Sequence, residues 1–259
     1  MNAYLHVLRH RPLGLLLLAS VLARMPQTIN GLALVLFIEA ETGSYGAAGA
    51  VAGGIALGMG AGAPFLGRIA DRRGPAVLLP IASAHAVLLI VIVLVGGTAP
   101  AWALVVLAVL AGAAFPPTPS VLRARLPVLL EDARQLIVPA YALDAVLVEL
   151  TFVAGPLLVA VIVTLFAPTV ALAVSAVAAV VGTSMFLRVL PHAEPAERST
   201  THGGLLGPLR SPAILTLVLT MLPFGVAIGA LEVMLPAFSE AEGQPALAGV
   251  LLAMWALGS

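Results

Sequence analysis

Long apolar runs separated by short polar stretches make up nearly the whole chain. The runs lie at about residues 13–38, 46–66, 76–96, 101–122, 136–166, 168–187 and 212–237, and an eighth begins near Ala246. A helix needs about 20 apolar residues to cross the roughly 30 Å of hydrocarbon in a bilayer, and each of the seven complete runs has that length. The pattern therefore predicts an all-α fold, a polytopic bundle of membrane-spanning helices.

The composition supports a membrane protein. Hydrophobic residues make up 61% of the chain and charged residues 9%, with a mean hydropathy of +1.12. Soluble domains carry about 25% charged residues, so this chain has too little polar surface to cover a water-facing globule. The first run is longer than the apolar core of a signal peptide and is expected to be retained. The chain has no cysteine, which excludes disulfides, thiolate metal sites and cysteine nucleophiles.

The distribution of arginine predicts the orientation in the membrane. One set of connections carries all basic residues except Arg24, namely Arg9, Arg11, Arg68, Arg72, Arg73, Arg123, Arg125, Arg134, Arg188, Arg198 and Arg210. The opposite connections contain Glu39, Glu41, Glu240 and Glu242 and no arginine. Because basic residues flank spans on the cytoplasmic side, we expect a cytoplasmic N-terminus. The absence of lysine and the abundance of alanine indicate a bacterial source, and hence the inner membrane.

The chain resembles itself at an offset of 200 residues. Pro12 aligns with Pro212, Gly43 with Gly243, and the segment 56–58 with 256–258. Six predicted spans separate the two copies, so both run in the same direction, as in transporters with two parallel six-helix repeats. We therefore expect a first half at residues 1–190, a central linker at 191–211 and an incomplete second half at 212–259. This arrangement predicts a fragment of a protein of about 400 residues.

A charged stretch, Gly67-Arg68-Ile69-Ala70-Asp71-Arg72-Arg73-Gly74, separates the second run from the third. We interpret it as a tight cytoplasmic turn. It resembles the G-x-L-A-D-R-x-G signature between spans two and three of the major facilitator superfamily. The resemblance implies a secondary transporter of a small molecule that works by alternating access.

The resemblance also implies a conformational latch. Its residues are Gly67, Asp71, Arg72, Arg73 and Gly74. In the family, the aspartate faces the N-terminus of a helix in the other half, where a carboxylate gains about 0.3–1 kcal/mol from the helix dipole. The alternative is that Asp71 only balances the neighbouring arginines.

Two other signatures of that family are incomplete. The span-four arginine would fall at Ala108, four residues before Gly112, and it is absent. The span-five antiporter pattern G-x-x-x-G-P-x-x-G-G survives only as Gly155-Pro156. Both gaps weaken the expectation of a proton-coupled drug exporter.

Five glycines in the second run, Gly49, Gly53, Gly54, Gly58 and Gly62, form a ladder of small residues. Such ladders let two helices approach closely. The contact is expected either between the two halves or within the first half.

Ionisable residues inside the apolar runs are the candidates for substrate binding and ion coupling. Each costs at least about 2.5–3.5 kcal/mol in a membrane span, so each requires a partner or a water-filled cavity. Arg24 lies about 16 Å along the first span, and Gln27 and Thr28 share its face. The complete set of candidates is Arg24, Gln27, Thr28, Asp144, Glu149 and Glu232.

Asp144 and Glu149 are both able to reach Arg24 from the fifth span. They lie about 140° apart around the helix, so they do not form a catalytic dyad. One is expected to pair with Arg24, while the other contacts the second half or takes up a proton. Glu149 is slightly favoured as the coupling residue.

No phosphate-binding loop, metal-ligand cluster or nucleophile elbow is evident, so we expect no cofactor, no metal, no catalytic residues and no nucleic-acid partner. The expected partners are a small-molecule substrate, the lipid bilayer and protons as a possible coupling ion, and the expected state is a monomer. Export is favoured narrowly over uptake. The alternatives are a polytopic membrane enzyme acting on lipid through Arg24, Asp144 and Glu149, and a truncated fragment that transports nothing.

Overall fold

The structure is a computed structural model that describes residue 7 and residues 11–191, 211–244 and 247–258. Within these ranges the regular structure is helical, and no strand is present. The α-helices are α1 (Arg11–Thr42), α2 (Tyr45–Arg73), α3 (Leu78–Val95), α4 (Ala101–Ala113), α5 (Thr118–Leu129), α6 (Ile137–Leu165), α7 (Pro168–Val189), α8 (Pro212–Ala241) and α9 (Leu247–Gly258). Short 3₁₀ helices at Pro75–Val77 and Glu131–Leu136 precede α3 and α6.

Seven helical segments in the described residues are long and apolar enough to cross a membrane. They coincide with the seven complete apolar runs, with α4 and α5 together forming the fourth span. The predicted all-α membrane bundle is thus confirmed. Several helices continue past the apolar runs because backbone hydrogen bonding does not depend on apolar side chains. For example, α1 extends to Thr42 and α5 to Leu129.

The charged stretch between the second and third spans is not a turn along its length, so that interpretation is wrong. Asp71, Arg72 and Arg73 form the last turn of α2, where the two arginines complement the helix dipole. The helix ends at Gly74, whose φ of +85° is readily adopted only by a residue without a Cβ. The turn is confined to Gly74 and the 3₁₀ helix that follows it.

The fourth span is broken at its prolines. α4 ends at Ala113 and α5 begins at Thr118, with Pro116 and Pro117 buried between them. Proline lacks the N–H that would continue the hydrogen-bond ladder, so the chain breaks there. α5 begins as a separate helix at Thr118.

α1 is the centre of the bundle and the most buried of the spans. It packs against α2, α6 and α7, and more lightly against α5 and α8. Two hydrophobic clusters flank its middle, one containing Leu13, Leu16 and Leu17 and the other beginning at Ile29. The gap between the clusters is where the buried polar residues of α1 lie.

The glycine ladder of α2 packs mainly within the first six spans. A Cβ on Gly54 would lie 3.1 Å from the carbonyl oxygen of Val105 in α4, and one on Gly62 would lie 2.5 Å from that of Ala113. A Cβ on Gly58 would overlap the Val109 carbonyl. Gly49 differs, since it faces Val233 of α8. The close contact is therefore chiefly between α2 and α4.

The 200-residue repeat extends to backbone conformation. Gly43 follows α1 with a φ of +64°, and Gly243 follows α8 with a φ of +71°. Both glycines end the first helix of their copy in the left-handed region, which explains why the same residue recurs. The predicted linker lies almost entirely outside the described residues.

Candidate functional site

A buried carboxylate holds two arginines together near the middle of the bundle. Asp144 of α6 accepts a hydrogen bond from Arg24 Nη2 through Oδ1 and from Arg123 Nε through Oδ2, each at 2.8 Å. The Asp144 side chain is 0% exposed. Of the two candidate carboxylates, Asp144 is therefore the one that meets Arg24. Each carboxylate oxygen of Asp144 is paired with one arginine, so Arg24, Arg123 and Asp144 together carry one net positive charge.

The sequence reasoning assigned Arg123 only to a cytoplasmic connection. Arg123 instead lies within α5, because that helix continues to Leu129, and its side chain reaches the buried Asp144. The available signal was weak: Arg123 follows the prolines that break the span. Nothing in the local pattern indicates which way the helix turns after the break.

Arg24 is incompletely satisfied. Its Nε donates to the Ser20 carbonyl at 3.2 Å, and its Nη2 contacts Ser20 Oγ at 3.2 Å. Its Nη1 is buried and has no hydrogen-bond partner among the described residues. A buried donor left unpaired is costly, so Arg24 lacks one favourable hydrogen bond at Nη1.

Arg24 and Arg123 line a cavity of about 390 Å³. The other lining residues are Gln27, Met59, Gly60, Ala63, Phe115, Pro116, Pro117, Pro119, Ser120, Val148, Thr151 and Phe152. The proline break of the fourth span forms much of one wall. Gln27 is exposed to this cavity, while Thr28 packs tightly against Gly155 of α6.

Glu232 and Glu149 lie apart from the Arg24 group. Glu232 of α8 sits against α1, where a Cβ on Gly31 would lie 3.0 Å from its Oε2. It lines a second cavity of about 30 Å³ with Thr28, Phe152 and Trp255, enough for about one or two waters. Glu149 is exposed on α6 and makes no hydrogen bond to a described residue.

A second buried polar group links four spans. The sequence indicated a packed histidine at position 85 but not its connections to the other spans. Ser175 of α7 donates to Asn30 Oδ1 at 2.5 Å, and Asn30 Nδ2 lies 3.2 Å from His85 Nε2. His85 Nδ1 lies 2.7 Å from the Ala111 carbonyl. A carbonyl only accepts, so Nδ1 carries the proton and Nε2 accepts from Asn30. The chain of bonds is complete and fixes a neutral histidine between α1, α3, α4 and α7.

Among the described residues, α8 contacts the first six spans through its C-terminal part. Tyr45 of α2 hydrogen-bonds the Glu240 carboxylate and lies 3.5 Å from the Pro236 carbonyl. Pro236 and Ser239 are buried, whereas residues 212–227 of α8 are exposed. We call the end with Glu39, Glu41, Glu240 and Glu242 the acidic end, and the opposite end, with the charged C-terminus of α2, the basic end. Contact is thus made at the acidic end.

The predicted latch residues lie at the basic end. Asp71, Arg72 and Arg73 are exposed, and Gly67 and Gly74 are half-buried. No contact between Asp71 and α8 or α9 is present among the described residues. The latch therefore stays a prediction.

Comparison with protein-family models matched residues 16–259 to the family described as Major Facilitator Superfamily. The matched region contains every described helix from the first turns of α1 onward. Searches of curated proteins and of solved structures found no match to the chain.

Proposed function

The chain belongs to the major facilitator superfamily and is a multi-pass membrane transporter, and on this premise we propose that it moves a small molecule by alternating access through the Arg24 cavity. The observation that carries the proposal is the juxtaposition of Arg24 and Arg123 on the wall of a cavity of about 390 Å³. Cavities of this size suit small organic ligands. A transporter family also gives no support to the alternative of a lipid-modifying enzyme.

The one-sided contact of α8 supports a conformation that is open on the cytoplasmic side. α8 meets α1 and α2 near Glu232, Val233 and Glu240, and is free of them toward its N-terminus. The arginine bias favours the basic end as cytoplasmic. With that orientation, the gap between α8 and the first six spans opens to the cytoplasm. The outer side is closed through Tyr45.

Protons are proposed as the coupling ion, with Glu232 as the coupling residue. Its carboxylate lies at the contact between α8 and α1, beside a cavity of water size, and no described residue donates a hydrogen bond to it. Protonation at this place would alter a contact that must break when the outer side opens. Glu149 is the second candidate, supported by its position in a span but not by a cavity.

Export is proposed ahead of uptake. The support is limited to the Gly155-Pro156 pair, because the other glycines of the antiporter pattern are absent. Gly155 packs against Thr28 of α1, and the carbonyl of Pro156 packs against Gly249 of α9. The pair thus lies where the fifth span contacts both α1 and α9.

Flux into proteoliposomes tests the proposal. The intact protein is reconstituted, a pH gradient is imposed, and accumulation of radiolabelled organic acids, amines and sugars is measured with and without a protonophore. We expect gradient-driven accumulation of at least one compound. Glu232→Gln should lose the gradient dependence but retain exchange, while Glu149→Gln and the exposed control Glu242→Gln keep it.

Four results would count against parts of this proposal. Absence of flux for every compound removes the transport function. Unaltered gradient dependence in Glu232→Gln removes Glu232, and a loss confined to Glu149→Gln reassigns coupling to Glu149. Accumulation that occurs only when substrate and protons move in the same direction would indicate uptake and contradict the proposed export.

A further inference from the structure

We propose that the Arg24 cavity binds organic monocarboxylates, with the carboxylate at Arg24 and Arg123 and an apolar body against the apolar residues of the lining. The inference rests on the proposed transport function and names the substrate class of the same cavity.

The charges of the cavity favour a single negative charge. The described residues of its lining include two arginines and no acidic residue. Asp144 lies behind them, fully buried, and neutralises one of the two. One positive charge is left uncompensated. A monoanion balances it, whereas a cation is repelled and a dianion brings one charge too many.

The unused donors favour an oxyanion. Arg24 Nη1 is buried and has no hydrogen-bond partner among the described residues. Arg123 uses its Nε for Asp144, its side chain is 51% exposed, and its two Nη atoms make no hydrogen bond to a described residue. A carboxylate accepts from several such donors at once. Charge-assisted hydrogen bonds of this type are roughly twice as strong as neutral ones.

The rest of the lining favours an apolar body. Phe115, Phe152, Met59 and Val148 contribute aromatic and aliphatic surface, and three prolines add more. Gln27, Ser120 and Thr151 are the neutral polar side chains in the lining, too few to satisfy the many hydroxyl groups of a sugar. The described lining therefore suits an aryl or alkyl carboxylate.

Binding by the purified intact protein tests the class independently of transport. The probes are benzoate, phenylacetate and hexanoate, each paired with its neutral amide, and affinity is measured from ligand-dependent thermal stabilisation in detergent. At least one acid should bind while its amide does not. Arg123→Gln should weaken that binding by at least about tenfold. Arg24→Lys should weaken it as well, because lysine has a single ammonium nitrogen, Nζ, in place of the three nitrogens of the guanidinium.

Arg123→Gln is the main variant because Arg123 is half-exposed and its loss leaves Asp144 paired with Arg24. Arg125→Gln is the matched control, with the same charge change on the same helix but outside the cavity lining. Circular dichroism and unfolding temperature without ligand show whether each variant is folded.

The outcomes separate the two proposals. Equal binding of acid and amide, equal loss in Arg123→Gln and Arg125→Gln, or no binding by any of the three acids overturns the carboxylate site. Gradient-driven flux of an amine or a sugar that Arg123→Gln leaves unchanged also overturns it, while transport stands. Arg123-dependent binding of an acid with no flux under any gradient supports the site and removes the proposed transport function.

Discussion

Arg24 of α1 and Asp144 of α6 form a buried ion pair across 120 residues of sequence, with Nη2 and Oδ1 2.8 Å apart. Arg123 reaches the other carboxylate oxygen from α5. A single aspartate therefore ties together three helices that border the cavity. It also fixes the guanidinium of Arg24 so that its remaining donor stays in place.

The dual pairing predicts unequal effects of removing each partner. Asp144→Leu leaves Arg24 buried without a counter-charge and should lower the free energy of unfolding by about 3–5 kcal/mol. Arg24→Leu should cost at least about 1 kcal/mol less, because Asp144 keeps Arg123 as its partner. The double variant Asp144→Leu/Arg24→Leu should recover most of the free energy of unfolding that Asp144→Leu loses. Thermal unfolding in detergent measures all three, and equal effects of the two single variants would contradict the shared-carboxylate geometry.

The polar group around His85 predicts a specific cost at Ser175. Ser175→Ala leaves Asn30 Oδ1 without its donor in a fully buried position, which should destabilise by about 1–3 kcal/mol. Ser184→Ala on the same helix removes only a hydroxyl bonded to the Val180 carbonyl and should stay within about 0.5 kcal/mol. Unfolding temperatures decide, and similar shifts in the two variants would show that the network is not stabilising.

The contact between α2 and α4 predicts that glycine is required at position 58. A methyl group there overlaps the Val109 carbonyl, so Gly58→Ala should destabilise by about 1–3 kcal/mol through overpacking. A Cβ on Gly53 would have no atom within 4 Å. Gly53→Ala should therefore be close to neutral. A tolerated Gly58→Ala would mean that the two helices readily move apart.

Tyr45 is expected to hold the acidic end closed. Tyr45→Phe removes the bond to Glu240, worth about 0.5–1.5 kcal/mol, and should increase labelling of a cysteine at Val233 roughly 2- to 10-fold. The chain has no cysteine of its own, so the label reports one site. Tyr141→Phe makes the same chemical change near the basic end, where the hydroxyl bonds the Arg123 carbonyl. An equal increase in that control would argue against a closure at Tyr45.

Asp71→Asn is expected to have the opposite effect. If Asp71 stabilises the state that is open at the acidic end, its neutralisation should decrease labelling at Val233→Cys without abolishing substrate binding. Unchanged labelling would show that the charged end of α2 is only a helix terminus.

The length of each apolar run was sufficient to predict the seven spans, because hydrocarbon thickness acts on every span separately. Helix ends were less predictable. Asp71 and the following arginines look like a turn by polarity, yet they continue α2 until Gly74. Backbone hydrogen bonding decided that boundary, and the φ of +85° at Gly74 is the local feature that ends the helix.

The site was predicted only in part. The cost of a buried charge identified Arg24 and restricted its partner to Asp144 or Glu149, but the rotation of α6 decided between them. Arg123 depends on the direction of α5 after the proline break. The Asn30–His85–Ser175 group depends on the relative rotation of several helices. Such relations arise from packing between distant segments and leave no periodic signal.

The separation of Arg24 from Asp144 also affects how the protein is made. At a synthesis rate of about 5–20 residues per second, Asp144 is added about 6–24 s after Arg24, because the two are 120 residues apart. During that interval the first span carries a charge whose counter-ion does not yet exist. The apolar residues of α1 must therefore offset the cost of Arg24, about 2.5–3.5 kcal/mol on insertion scales, until α6 supplies Asp144.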